Sequence, residues 1–211
     1  MAFEPRLADL LAAIGPRHRK AWWKHIETVA VERDAAECAL AHLPDEAWLV
    51  LKGNIIGQID RRQPARGWPQ MRDLLHEARA FRYLDQLGCT EIAFARRSML
   101  AKSPDLSARR GTRRVLCEVK TIRLKSPDKL SPDKLSPDKL PPTFPTKLCT
   151  RLLAARKQLA ADDDATALRL IYLILDRDDA LLAEIAELAT KSLPAGLNLV
   201  IDSGTRITEI T

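Results

Sequence analysis

Six apolar residues in succession, Leu170 to Leu175, constrain the fold of this chain more than any other stretch. With Leu168 ahead of them they form a run of strand length that is apolar at consecutive rather than alternate positions. That pattern is typical of a strand buried on both faces. The run is far short of the ~20 residues that a membrane span needs. The segments around it read in order. Met71, Leu74, Leu75, Ala78, Phe81 and Leu84 make the stripe of a helix over 71–87, and Gly88 stops it. Short strands are expected near 90–96 and 104–108, and Val115 to Ile122 alternates and is β-branched, a third strand. Leu148, Leu152, Ala155 and Leu159 fall on one face of a helix over 148–160. After the apolar strand come an amphipathic helix over 180–190 and two short strands, 197–201 and 206–210, around the hairpin signal Ser203-Gly204.

The N-terminal part reads differently. Leu7, Leu10, Leu11 and Ile14 recur at helical spacing before Gly15-Pro16, and a second helix is expected over 20–42, ended by Pro44-Asp45. Trp48 to Leu51 reads as a short strand before Gly53. Residues 57–69, with Gly57, Pro64, Gly67 and Pro69, have linker composition. A boundary near residue 66 therefore separates a helical N-terminal region, 1–66, from a core, 67–211. Inside that core, Ser-Pro-Asp-Lys-Leu occurs three times in tandem over 126–140, and Pro141, Pro142 and Pro145 follow. A five-residue period matches no helix or strand repeat and is too short for a solenoid unit. The segment 126–145 is expected to be a low-complexity loop, either a tolerated surface expansion or a basic flap that offers Lys129, Lys134 and Lys139.

Charge divides the chain in three. Residues 1–70 hold 10 basic and 9 acidic side chains; residues 71–160 hold 20 and 9; residues 161–211 hold 4 and 10. A middle segment at net +11 points to a polyanionic partner, nucleic acid first, against the plainer reading of a solvated basic surface. Arginine dominates between Arg96 and Arg123, and its planar fork suits phosphate. No apolar signal-peptide core is visible near Glu4 and Asp9, and the four cysteines lack metal-site spacing, so a cytoplasmic protein with reduced thiols and no membrane partner is expected. The four histidines never pair at i, i+4, which argues against a histidine zinc site. No phosphate-binding glycine loop appears. Trp22-Trp23 among Arg17, Arg19, Lys20 and Lys24 reads either as a base-stacking pair or as helical packing.

The residues with chemistry lie between 77 and 120. Glu118 and Lys120 are two apart on a predicted strand, so both project from one face with Leu116 and Ile122, while Val115, Cys117 and Val119 take the other. Pro104-Asp105 precedes Glu118 by a stretch that a turn of the chain can fold back. Two carboxylates, with the Val119 carbonyl, are the hard oxygen ligands that Mg²⁺ or Mn²⁺ takes while keeping most of its waters. A metal acidifies water and clamps phosphate oxygens, and a neighbouring lysine helps orient the water and neutralise charge.

Pro104-Asp105 with Glu118-Val119-Lys120 resembles the signature of the PD-(D/E)xK nuclease superfamily, the restriction-endonuclease-like fold. That family's core runs helix, three strands, helix, strand, and the resemblance covers roughly residues 71–176. It implies an α/β protein with a central mixed sheet flanked by helices, carrying an α-helical N-terminal extension. It further implies a Mg²⁺-dependent endonuclease or exonuclease that hydrolyses phosphodiester bonds, with DNA the expected substrate. Asp105 and Glu118 would bind the metal, with Glu77 from the first helix joining them, and Lys120 would assist the water. Glu77 has the alternative of an ion pair to Arg113 or Arg123, and Glu118/Lys120 that of a surface ion pair. Because the helix after the motif borders the family's site, Lys147, Arg151 and Gln158 become candidate nucleic-acid contacts with Arg113 and Arg123; a solvated polar face is the alternative for the helix. The rival function is a catalytically inactive nucleic-acid-binding or assembly module on the same fold. A homodimer stays open.

Overall fold

The computed structural model describes residues 5–14, 30–59, 64–95, 103–122, 140–175 and 181–210. They form an α/β protein whose six strands lie side by side in the order β1-β2-β3-β4-β5-β6. The chain divides into two compact units, Met1–Ala101 with Asp105–Arg114, and Lys102–Pro104 with Val115–Thr211.

The first unit holds helices α1 (Pro5–Ala13), α2 (Ala30–His42), α3 (Asp45–Ile59) and α4 (Pro64–Gln86), and strands β1 (Thr90–Phe94) and β2 (Leu106–Arg110). Leu7, Leu10 and Leu11 of α1 are buried, as the spacing requires. The Trp48–Leu51 segment is helix, not strand. Trp48, Leu51 and Ile55 are buried at helical spacing, while Leu49 between them is 66% exposed. A four-residue apolar run cannot distinguish the two periods, and Asp45 and Glu46 in the first turn favour the helix. The linker composition of 57–69 also overlaps helix on both sides, since α3 runs to Ile59 and α4 starts at Pro64. Proline suits the first helical position, where its missing N–H would have no partner anyway. The Trp22-Trp23 pair lies outside the described residues.

Helix α4 buries nearly every position from Leu74 to Leu84, and Gly88, at φ 73°, takes the left-handed conformation that follows it. β1 and β2 pair antiparallel with an irregularity between Thr90 and Ala93, where Glu91 has φ 52°. Gly111, at φ 60°, takes the first position of the two-residue turn after β2. That is where a II′ hairpin turn places glycine. The short strand expected near 104–108 is β2, displaced two residues toward the C-terminus.

Strand β3 (Arg113–Ile122) begins in the first unit and continues in the second. The second unit adds α5 (Phe144–Leu159), β4 (Leu168–Leu175), α6 (Leu182–Ser192), β5 (Asn198–Asp202) and β6 (Ile207–Ile210). β3, β4 and β5 are parallel, and β6 closes antiparallel on β5 after a turn with Gly204 at φ 97°. The apolar run is β4, with Leu170 to Leu175 all buried. Leu116 and Ile122 of β3, Ile171, Leu173 and Leu175 of β4, and Leu199 and Ile201 of β5 pack in one cluster with Phe144, Leu148, Leu152 and Leu159 of α5 and Ile185 of α6. Arg169 ties this layer together. Its guanidinium donates to the carbonyls of Leu159 at 3.3 Å, Asp162 at 3.2 Å and Asp164 at 3.0 Å, occupying acceptors at and beyond the C-terminus of α5. Of the segment 126–145, residues 126–139 lie outside the described residues; Leu140 packs against the cluster and Phe144 already belongs to α5. Among the described residues no helix is long and apolar enough to cross a membrane.

Candidate active site

In the second unit, Glu118 and Lys120 stand where strand alternation puts them, on the face of β3 that carries Leu116 and Ile122. Glu118 lies opposite Ile171 of β4 and Lys120 opposite Leu173, so the acidic side chain sits within an apolar layer. Glu118 is completely buried and Lys120 is 14% exposed by its side chain. A carboxylate at that depth is costly unless it is paired. Lys120 Nζ donates to Glu118 Oε1, and its second bond goes to Gln158 Oε1 of α5 at 2.7 Å. Gln158 thus fixes the lysine from the helix that covers the strand. Val119 points to the other face and is buried.

Lys147 and Arg151 are exposed on α5, and Gln158 is half-buried, on the side away from Phe144, Leu148, Leu152 and Leu159. Gln158 already holds Lys120.

In the first unit, Asp105 immediately precedes β2, and its carbonyl accepts the Ala95 amide at 2.9 Å. The Ala95 carbonyl in turn accepts the Asn54 side-chain amide at 3.0 Å, so α3 holds the end of β1 and the entry to β2 together. Pro104 is buried and Asp105 is half-buried. Glu77 is 2% exposed on α4 beside His76 at 5%. The helix is buried almost all round here, so the carboxylate is enclosed. Arg113 is exposed at the start of β3, and Arg123 lies outside the described residues.

The donor chemistry suits a hard cation that keeps most of its waters. Among the described residues no group of three or more His, Cys, Asp and Glu side chains is placed to hold a metal ion.

Sequence reasoning passed over the buried pair of Tyr172, whose hydroxyl donates to Asp202 on β5; the register could have found it, but only once β4 and β5 were aligned. No protein-family model, characterised protein or solved structure matches this chain.

Proposed function

We infer that the protein is a metal-dependent nuclease that hydrolyses phosphodiester bonds in DNA. The observation that carries the reading is the burial of the Glu118–Lys120 pair. An ion pair of the ordinary surface kind would lie in water; this one is enclosed in the sheet and held by Gln158. Support also comes from the element order α4, β1, β2, β3, α5, β4, which follows the helix, three strands, helix, strand of the restriction-endonuclease-like core. Mg²⁺ or Mn²⁺, when bound, lowers the pKa of a water and draws charge from the phosphate oxygens. Glu118 would bind the ion, with the Val119 carbonyl in support; the family resemblance gives Asp105 the role of second carboxylate and Glu77 a supporting one. Lys120 would place its ammonium against the phosphate and orient the attacking water, and Gln158 would keep that ammonium in position.

A non-catalytic nucleic-acid-binding module is the second reading. It is favoured by the ion pair of Glu118 with Lys120, which gives both side chains a partner within the fold. Nicking of supercoiled plasmid in Mg²⁺ or Mn²⁺, with an EDTA control, separates the two. Cleavage is expected, and Glu118→Gln should reduce it by roughly a thousand-fold or more, the scale of several kcal/mol of lost metal assistance. A chain that binds nucleic acid but cuts neither DNA nor RNA in either metal would leave only the second reading.

A further inference from the structure

Glu118, Lys120 and Gln158 form a short chain of contacts within the second unit, and the chain runs from dry to wet. Glu118 is completely buried, Lys120 keeps 14% of its side chain exposed, and Gln158 is half-buried on the polar side of α5. The ammonium is bonded on both sides. Lys120 Nζ donates to Glu118 Oε1 within the sheet and to Gln158 Oε1 on the covering helix at 2.7 Å. Glu118 therefore has a counter-charge already, and that counter-charge is the member of the pair nearer to water. A second cation at the same carboxylate would bring two positive charges together where little water screens them, and like charges so placed repel strongly. Gln158 gives the ammonium a way out, because the bond to α5 can persist when the bond to Glu118 is given up.

We propose that Lys120 is an exchangeable gate on Glu118: its ammonium closes the carboxylate in the resting chain, and yields it to a divalent cation while Gln158 retains the lysine. The gate deepens the nuclease reading and rests on it for the identity of the cation. Lys120 competes with the ion for a charged acceptor, so its presence weakens cation binding. Once displaced, Lys120 depends on Gln158 more than it did while it also bonded Glu118. Gln158 is thus a positioning residue that favours the open state over the closed one. The exchange couples two events, since the ammonium turns toward a phosphate only when Glu118 has accepted its ion. A pair that served packing alone would gain nothing from a partly exposed lysine with a second acceptor outside the sheet.

Mn²⁺ affinity is to be measured on the full chain, without nucleic acid, from the electron paramagnetic resonance signal of the free ion. Lys120→Met should bind Mn²⁺ roughly 10- to 100-fold more tightly than wild type, the equilibrium worth of one hydrogen bond to a charged group. Gln158→Leu should bind it several-fold more weakly, because the displaced ammonium has lost its acceptor. In the Lys120→Met background the same Gln158→Leu change should have no effect, and that non-additivity separates a gate from two independent structural contacts. Mn²⁺ should also raise the melting temperature of Lys120→Met by more than that of wild type, since it restores the counter-charge of Glu118. Glu118→Gln should abolish these responses. Gln158→Leu keeps the ion pair, so it carries the test if Lys120→Met does not fold. Lys120→Met binding no more tightly than wild type, or Gln158→Leu binding as tightly as wild type, would overturn the gate. Glu118→Gln binding as tightly as wild type would place the ion elsewhere and overturn it too. Cleavage tells the two readings apart. A chain that cuts no nucleic acid yet shows the expected order of Mn²⁺ affinities would overturn the nuclease reading and leave the gate standing; a chain that cuts without that order would overturn the gate alone.

Discussion

Three acid–base pairs of the first unit and one of the second differ in their surroundings. In the first unit these three stand at least partly in water. Arg6 of α1 donates to the carbonyls of Leu40, at 2.6 Å, and Leu43, and to Asp45 Oδ1 at 2.8 Å. One side chain thus caps the end of α2 and meets the acidic start of α3. Lys52 donates to both oxygens of Asp9 at 2.7 Å, and His42 meets Asp85 at 2.8 Å with both side chains partly exposed. Such contacts orient helices at small cost. In the second unit the Glu118–Lys120 pair is enclosed, where desolvation of two charges can exceed their attraction. A purely apolar pair would serve the core at least as well. The difference teaches which pairs the fold needs for itself and which ask for another explanation.

The strongest way to break this comparison is to remove the partners singly and together. Lys120→Met takes away the Glu118 counter-charge and should cost about 3–5 kcal/mol, or roughly 10 °C in melting temperature for a chain of this size. Glu118→Leu/Lys120→Met together should return to within about 1 kcal/mol of wild type, or exceed it, while abolishing cleavage. If the double variant were as unstable as the single, the pair would be structural and the contrast between the units would collapse.

This pair was legible in the sequence because strand periodicity is two. Once Val115–Ile122 is a strand, Glu118 and Lys120 must share a face, and the apolar run of β4 beside it makes that face dry. Its third member was less legible. Gln158 stood on the polar side of a helix, and no rule of local sequence says that it reaches Lys120. The misreadings fall where periodicity is short or punctuated. Trp48–Leu51 was too brief to separate helix from strand, and Gly67 and Pro69 obscured the first turns of a 23-residue helix. The depth of Glu77 was not legible either, because α4 is buried on nearly all sides between Leu74 and Leu84.

A smaller effect sharpens the other side of the comparison. Arg6→Ala removes donors to two carbonyls and to Asp45. Hydrogen bonds from a charged donor contribute about 1.5–3 kcal/mol, so the variant should lose an amount in that range. The loss should appear at both α2 and α3, as faster amide exchange near Leu40, Leu43 and the first turn of α3. If exchange accelerated at neither helix, the guanidinium would be decorative, and the first unit's polar contacts would not orient its helices.

The smallest effect is a pH dependence at Asp9. Lys52 donates to both carboxylate oxygens and Trp48 Nε1 to one at 3.2 Å, and these bonds hold Asp9 below the ordinary carboxylate range despite an opposing contribution from burial. A carboxylate whose folded pKa is depressed binds its proton more weakly in the folded state. Its stabilising contribution is therefore complete above the unfolded value, about 4, and is lost as pH falls through the folded value. Because the Asp9 side chain is 46% exposed, solvent screening limits that contribution to a few tenths of a kcal/mol. Asp9→Asn should lower the melting temperature by a degree or so at pH 6, and the gap from wild type should close as pH falls below about 4. Lys52→Met should show the same closing gap, since it removes the main cause of the shift. A gap that stayed constant across that range would mean that Asp9 acts through its shape and not its charge. A gap that widened toward acid would reverse the sign, and would require a folded pKa above the unfolded one.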